Sequence, residues 1–211
     1  MNSIIERAYQ TFSKYNLKSE LDVCTHCCVS SEEVRRLTNT PLRKISFELI
    51  YRHNTAATSK KPPIEEFKYY LPRYLELVAN QEFPSHSIEL SFKRFEHYKI
   101  EEFESNEINL IQDFGEEYFK QTILTYPCPE NEQIDSILIM LFKAKIDIPR
   151  LLKIWELDKT ENGNKHFQDL VNYGIHKRKS KLENTFSSEQ LDNLILIWIK
   201  IQKVYEMKYA T

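Results

Sequence analysis

The chain has 211 residues, 41% of them hydrophobic and 12% aromatic, enough for a packed core and incompatible with a disordered chain. Its net charge of −2 provides no general attraction to nucleic acid or to an anionic membrane. Only three glycines occur, Gly115, Gly163 and Gly174, which argues against turn-rich sheets and excludes the phosphate-binding glycine loops.

Residues 3–15 carry Ile4, Ile5, Ala8, Phe12 and Tyr15 at helical spacing. No apolar signal segment precedes them, so the expected location is cytoplasmic. Next comes "CTHCC", residues 24–28, which holds three of the four cysteines. Ser30-Ser31-Glu32-Glu33 then reads as a capping box, a hydroxyl followed three residues later by a carboxylate, and opens a short helix with Val34 and Leu37 inward. Thr40-Pro41 begins another, with proline in the first turn, and Ile45, Leu49 and Ile50 continue its apolar face. Residues 64–79 show a strong apolar stripe from Ile64 to Val78, with Pro72 expected to kink the helix or begin a second one.

Residues 87–98 are expected to form a helix through Ile88, Leu90, Phe92 and Phe95. A long helix is predicted over 105–125 and ends at "YPCPEN". Residues 132–146 are apolar on several sides, so that helix should be deeply buried. Pro149 opens a helix through Leu157, and "DKTENGN" (158–164) reads as a loop. A helix over 165–179 should end in the basic run "HKRKSK", whose cations suit a helix C-terminus better than a nucleic-acid site. The last helix begins at Ser187-Ser188-Glu189-Gln190 and runs to about Lys208, with Leu191, Leu194, Ile195, Trp198, Ile201 and Tyr205 inward. The expected fold is therefore all-α, a compact multi-helix array of nine or ten helices in one domain spanning 1–211, with a weak boundary near 126–131. No apolar stretch approaches the roughly 20 residues that cross a bilayer.

Three readings stand for the cysteines. Cys24 and Cys27 have the C-x₂-C spacing with which two thiolates grip zinc, and Cys28 and Cys128 would supply further sulfur ligands. If residues 22–29 are helical, Cys24, Cys27 and Cys28 share one face and belong to the core. Alternatively, thiols just ahead of a helix N-terminus are activated for redox or nucleophilic chemistry.

Elsewhere, Arg73 and Glu76 sit three apart and should form a structural ion pair beside Pro72. Glu101, Glu102 and Glu104 form an acidic stretch, and with Tyr69 and Tyr70 they are candidate partner contacts. The histidines are scattered, and no hydrolase or kinase signature is present.

"CTHCCVSSEEVRRLTNTPLRKIS" followed by "YYLPRYLELVA" resembles an uncharacterised family of bacterial helical proteins with C-x₂-C-C, T-P-L-R and L-P-R-Y-L-E-L segments. The matching positions are Cys24, Cys27, Cys28, Pro41, Arg43, Pro72, Arg73 and Glu76, within about the first 80 residues. The resemblance implies no activity. With no catalytic signature, the leading expectation is a non-enzymatic protein that binds a protein partner, in the manner of a bacterial immunity protein or antitoxin. The alternative is a zinc-binding structural protein or a thiol-dependent enzyme built on Cys24, Cys27 and Cys28.

Overall fold

The computed structural model describes residues 1–17, 20–176 and 178–209, and the side chains of these except residues 131 and 203–209. Among the described residues the protein is all-α apart from one two-stranded ribbon. The helices are α1 (Asn2–Thr11), α2 (Ser31–Asn39), α3 (Phe47–Thr55), α4 (Ile64–Ala79), α5 (Ser105–Leu124), α6 (Ile134–Lys143), α7 (Ile148–Leu157), α8 (Glu161–Asn172) and α9 (Glu189–Tyr209). Strands β1 (Ile175–His176) and β2 (Lys181–Leu182) pair antiparallel between α8 and α9. The chain groups into two compact units, Met1–Phe114 with Lys143–Lys145, and Gly115–Phe142 with Ile146–Thr211. None of the described helices is long and apolar enough to cross a membrane.

In the first unit α4 is the central element. Its face Phe67, Tyr70, Leu71, Tyr74, Leu75 and Val78 is buried, as its 3.6-residue spacing requires. Phe67 stacks on Tyr98 at 5.1 Å and meets the edge of Phe95 at 4.7 Å. The helix runs unbroken through Pro72, and no second helix starts there. Burial of both flanking turns outweighs the hydrogen bond that proline cannot donate.

Residues 87–98 are not an α-helix: they form two short 3₁₀ helices, Ile88–Leu90 and Lys93–His97. Ile88, Phe92 and Phe95 keep the i, i+4, i+7 spacing that suggested a helix, and the tighter 3₁₀ turns bury the same three side chains.

In the second unit α6 is buried continuously from Ile134 to Leu141. Trp155 of α7 lies 5.1 Å from Trp198 of α9 and 5.8 Å from Phe119 of α5. Two expectations fail here. First, α8 begins inside the supposed loop, because the Thr160 hydroxyl accepts the Gly163 N–H at 3.1 Å and caps it.

Second, the chain after Asn172 turns into the β1–β2 ribbon, so the basic run sits at a hairpin and not at a helix end; Lys177 within it lies outside the described residues. On α9, Leu191, Ile195 and Trp198 point inward, but Ile201 is 48% exposed and Ile199 is buried instead. The Tyr205 side chain lies outside those described.

Candidate thiolate site

Residues 25–28 form a turn between α1 and α2, not a helix. Long-range hydrogen bonds set its shape. The Cys24 N–H donates to the Ala57 carbonyl at 2.8 Å, and the Val29 N–H closes the turn onto the Cys24 carbonyl at 3.1 Å. Just before the turn, the Asp22 N–H donates to Glu66 Oε2 at 2.8 Å, and the Asp22 carboxylate accepts the Ser59 N–H at 2.8 Å and also the Ser59 hydroxyl. Glu66 is itself held by buried His53, whose Nε2 lies 3.0 Å from Glu66 Oε1 and whose Nδ1 lies 2.8 Å from the Tyr74 hydroxyl. A carboxylate only accepts, so Nε2 carries the imidazole proton and Nδ1 accepts from Tyr74. Burial, with the positive Arg94 nearby, pushes His53 down to about 4, so the ring is neutral.

Beyond the turn, Ser30 caps α2 with a reciprocal Glu33 capping box. Glu33 Oε1 pairs with Arg52 Nε at 3.4 Å, and Arg52 Nη1 donates to the Cys28 carbonyl at 3.4 Å. The turn is thus fastened at both ends to α3, α4 and the 57–59 segment.

This backbone brings three thiols together. Cys24 Sγ and Cys27 Sγ are 3.5 Å apart, and Cys27 Sγ and Cys28 Sγ 3.6 Å. All three sulfurs lie within 4.8 Å of one another. A tetrahedral ion with metal–sulfur bonds of about 2.3 Å has sulfur–sulfur edges of about 3.8 Å, so only a slight spreading would admit one. The backbone N–H groups of Cys27 and then His26 hydrogen-bond the Cys24 sulfur and, with the Cys27 thiol, lower Cys24 to about 7. Cys27, whose thiol lies between the Cys24 and Cys28 sulfurs, is raised to about 11 by its contacts with them. One thiolate near neutral pH, flanked by thiols that share its charge, is a donor set for a soft or borderline cation.

The structure corrects the core reading: Cys27 is exposed, and Cys24 and Cys28 are half-exposed. The turn geometry that clusters the sulfurs also holds them at the surface. Cys128 is not a member of the cluster; among the described residues only Cys24, Cys27 and Cys28 meet the conditions for a shared ion. It belongs to the second unit, is buried, and lies 3.7 Å from His166 Nδ1.

Arg73 Nη1 meets Glu76 Oε2 at 2.5 Å, and Arg73 Nε donates to the Ile45 carbonyl at 3.0 Å. Glu76 also accepts from the Tyr9 hydroxyl at 2.6 Å, so the pair ties α4 to α1 and to the segment after Arg43.

The candidate partner contacts fare unevenly. Tyr70 is fully buried, its hydroxyl donating to the Leu37 carbonyl, and cannot anchor a partner; Tyr69 beside it is half-buried. Glu104 pairs with Lys14 at 2.5 Å and Glu102 approaches Lys61 at 3.9 Å, while Glu101 is exposed.

Sequence reasoning missed the residues that fix the turn, Asp22, Arg52, the Ala57 carbonyl and Glu66. None carries a local signal, since each acts across 24 to 44 positions of chain. No protein-family model, curated protein or solved structure matches this chain.

Proposed function

We propose that this protein binds a thiophilic metal ion, Zn²⁺ foremost, through Cys24, Cys27 and Cys28. The observation that carries the reading is the mutual approach of three surface thiols, 3.5 and 3.6 Å apart in successive pairs, on a turn fixed by long-range hydrogen bonds. Three protein ligands leave a fourth position for water or for a donor from another molecule. Binding replaces the thiol protons, so affinity rises with pH until all three sulfurs are thiolates. The N–H groups of His26 and Cys27 stabilise the charge on Cys24 and give the ion its first anchor. The outer partners Asp22, Glu66 and Arg52 hold the turn's backbone in register, the office that second-layer groups perform around metal ligands.

Native mass spectrometry of reduced protein with Zn²⁺ tests the reading. One ion per chain is expected, lost on Cys24→Ser or Cys27→Ser and retained on Cys128→Ser. Failure to bind zinc, or equal binding by the Cys24→Ser/Cys27→Ser/Cys28→Ser variant, would overturn it.

A further inference from the structure

The fourth cysteine stands in a different chemical setting, within the second unit. His166, on α8, places Nε2 2.8 Å from the Thr125 carbonyl oxygen. A carbonyl can only accept, so Nε2 carries the proton and Nδ1 presents its lone pair. That lone pair faces Cys128 Sγ at 3.7 Å, within reach of an S–H···N hydrogen bond. Both side chains are buried, Cys128 at 4% and His166 at 2% exposure. The imidazole is further fixed by the Tyr126 ring, whose centroid lies 5.0 Å away and whose hydroxyl donates to Asp169 Oδ2 at 2.7 Å.

The thiol and imidazole are not sealed in the core. Both line a cavity of about 300 Å³ that also takes in Tyr126, Glu132, Gln133, Asp169 and Tyr173. Tyr126 and Tyr173 are 41% and 66% exposed, making an aromatic mouth. Glu132 and Asp169 disfavour an anionic ligand. A nucleophile, a base within hydrogen-bond reach and an acceptor that orients the base are the three parts of nucleophilic acyl transfer, and here they open onto a space of small-molecule size.

We infer that Cys128 and His166 are a nucleophile–base pair for acyl transfer, acting on a small neutral or cationic ester or thioester that enters between Tyr126 and Tyr173. Cys128 Sγ attacks the carbonyl carbon as its S–H proton passes to His166 Nδ1. The C–S bond forms, and the carbonyl π pair moves to oxygen. Collapse breaks the bond to the leaving alcohol or thiol, which departs with the proton from His166. A water, deprotonated by the same nitrogen, then cleaves the Cys128 thioester and restores the thiol. The net reaction is hydrolysis, with no change of oxidation state.

Burial, reinforced by the charges of Asp135, Glu132 and Asp169, pushes the Cys128 thiol up to about 12. The resting thiol therefore keeps its proton, and proton transfer accompanies attack.

A small aryl ester, 4-nitrophenyl acetate, tests the inference. The full chain is incubated with it near neutral pH, and acetylation is read peptide by peptide by mass spectrometry, so that Cys24, Cys27 and Cys28 do not confound the result. Acetyl on the Cys128 peptide is expected to form faster in the native chain than in guanidinium-unfolded chain. His166→Gln should slow it by about 100-fold. If the Cys128 peptide in acid-quenched early samples is unmarked and Cys128→Ser does not slow 4-nitrophenolate release, or if the peptide is marked no faster native than unfolded, the pair is a structural hydrogen bond and the inference fails. Equal labelling in a folded His166→Gln variant would also overturn it. The native-against-unfolded comparison needs no mutation and stands even if that variant does not fold.

Discussion

Removing the Glu107 carboxylate should destabilise the protein more than any surface change. Glu107 is fully buried and receives Lys68 Nζ at 2.8 Å, the Tyr15 hydroxyl at 2.5 Å and the Glu104 N–H at 2.9 Å. Lys68 is 5% exposed at its side chain, and its other partners are the Glu102 carbonyl at 2.8 Å and the Tyr15 hydroxyl at 3.2 Å. Glu107→Ala would therefore leave a buried ammonium without a counter-ion, which costs about 3–5 kcal/mol. At a urea dependence of about 2 kcal/mol per molar, that lowers the unfolding midpoint by about 2 M.

The double replacement Lys68→Met/Glu107→Leu removes both charges and should recover most of the loss. Far-UV circular dichroism in urea reads both variants. A loss below about 1 kcal/mol for Glu107→Ala, or a double variant no more stable than the single one, would show that the buried pair is not what Glu107 stabilises. The pH dependence has a fixed sign. Burial raises the Glu107 carboxyl, but the hydrogen bonds from Lys68, Tyr15 and Glu104 outweigh it and hold the group below its ordinary value. Its contribution is present above the unfolded value of about 4.3 and is lost as pH falls through the folded value.

Three further outcomes are expected. His53, lowered to about 4 by burial and by Arg94, should drain stability as pH falls from about 6.5, where the unfolded ring charges, to about 4, a loss of about 3 kcal/mol; an NMR titration placing His53 near 6.5 would contradict this. Gly115→Ala sets a Cβ 2.3 Å from Ile146 Cδ1 and 2.8 Å from its Cγ2, so it should destabilise by about 1–3 kcal/mol despite alanine's helix preference, with rescue by Ile146→Ala; a gain in thermal stability would sink that expectation. In metal-free protein, iodoacetamide should modify Cys24 before Cys27, with a midpoint near pH 7, and Cys27 reacting first would reverse the assignment.

Much of the helical framework was legible because its periodicity and its caps are local. Ile64–Ala79 matches its apolar stripe end to end, and the Ser30–Glu33 box starts α2 as written. Departures occur where competing local or distant contacts decide. The 88–97 segment buries its aromatics with 3₁₀ turns, and α8 starts at a threonine cap within a polar stretch that resembles a loop.

The thiolate site was half legible. C-x₂-C-C supplies the sulfur count, but only the docking of Cys24 on Ala57 and of Asp22 on Ser59 and Glu66 makes the segment a turn with its sulfurs outward. The pairing of Cys128 with His166, 38 positions apart, had no counterpart in local spacing.

Cobalt titration of the reduced protein reads metal binding by Cys24, Cys27 and Cys28 spectroscopically. Co²⁺ held by three thiolates gives intense sulfur-to-metal charge-transfer absorption in the near ultraviolet and visible bands of tetrahedral strength. Both are expected to grow to an end point of one ion per chain, vanish in Cys24→Ser/Cys27→Ser/Cys28→Ser, and bleach when Zn²⁺ displaces the cobalt. A spectrum indistinguishable from aqueous cobalt, with all three thiols still titrating as free, would contradict it.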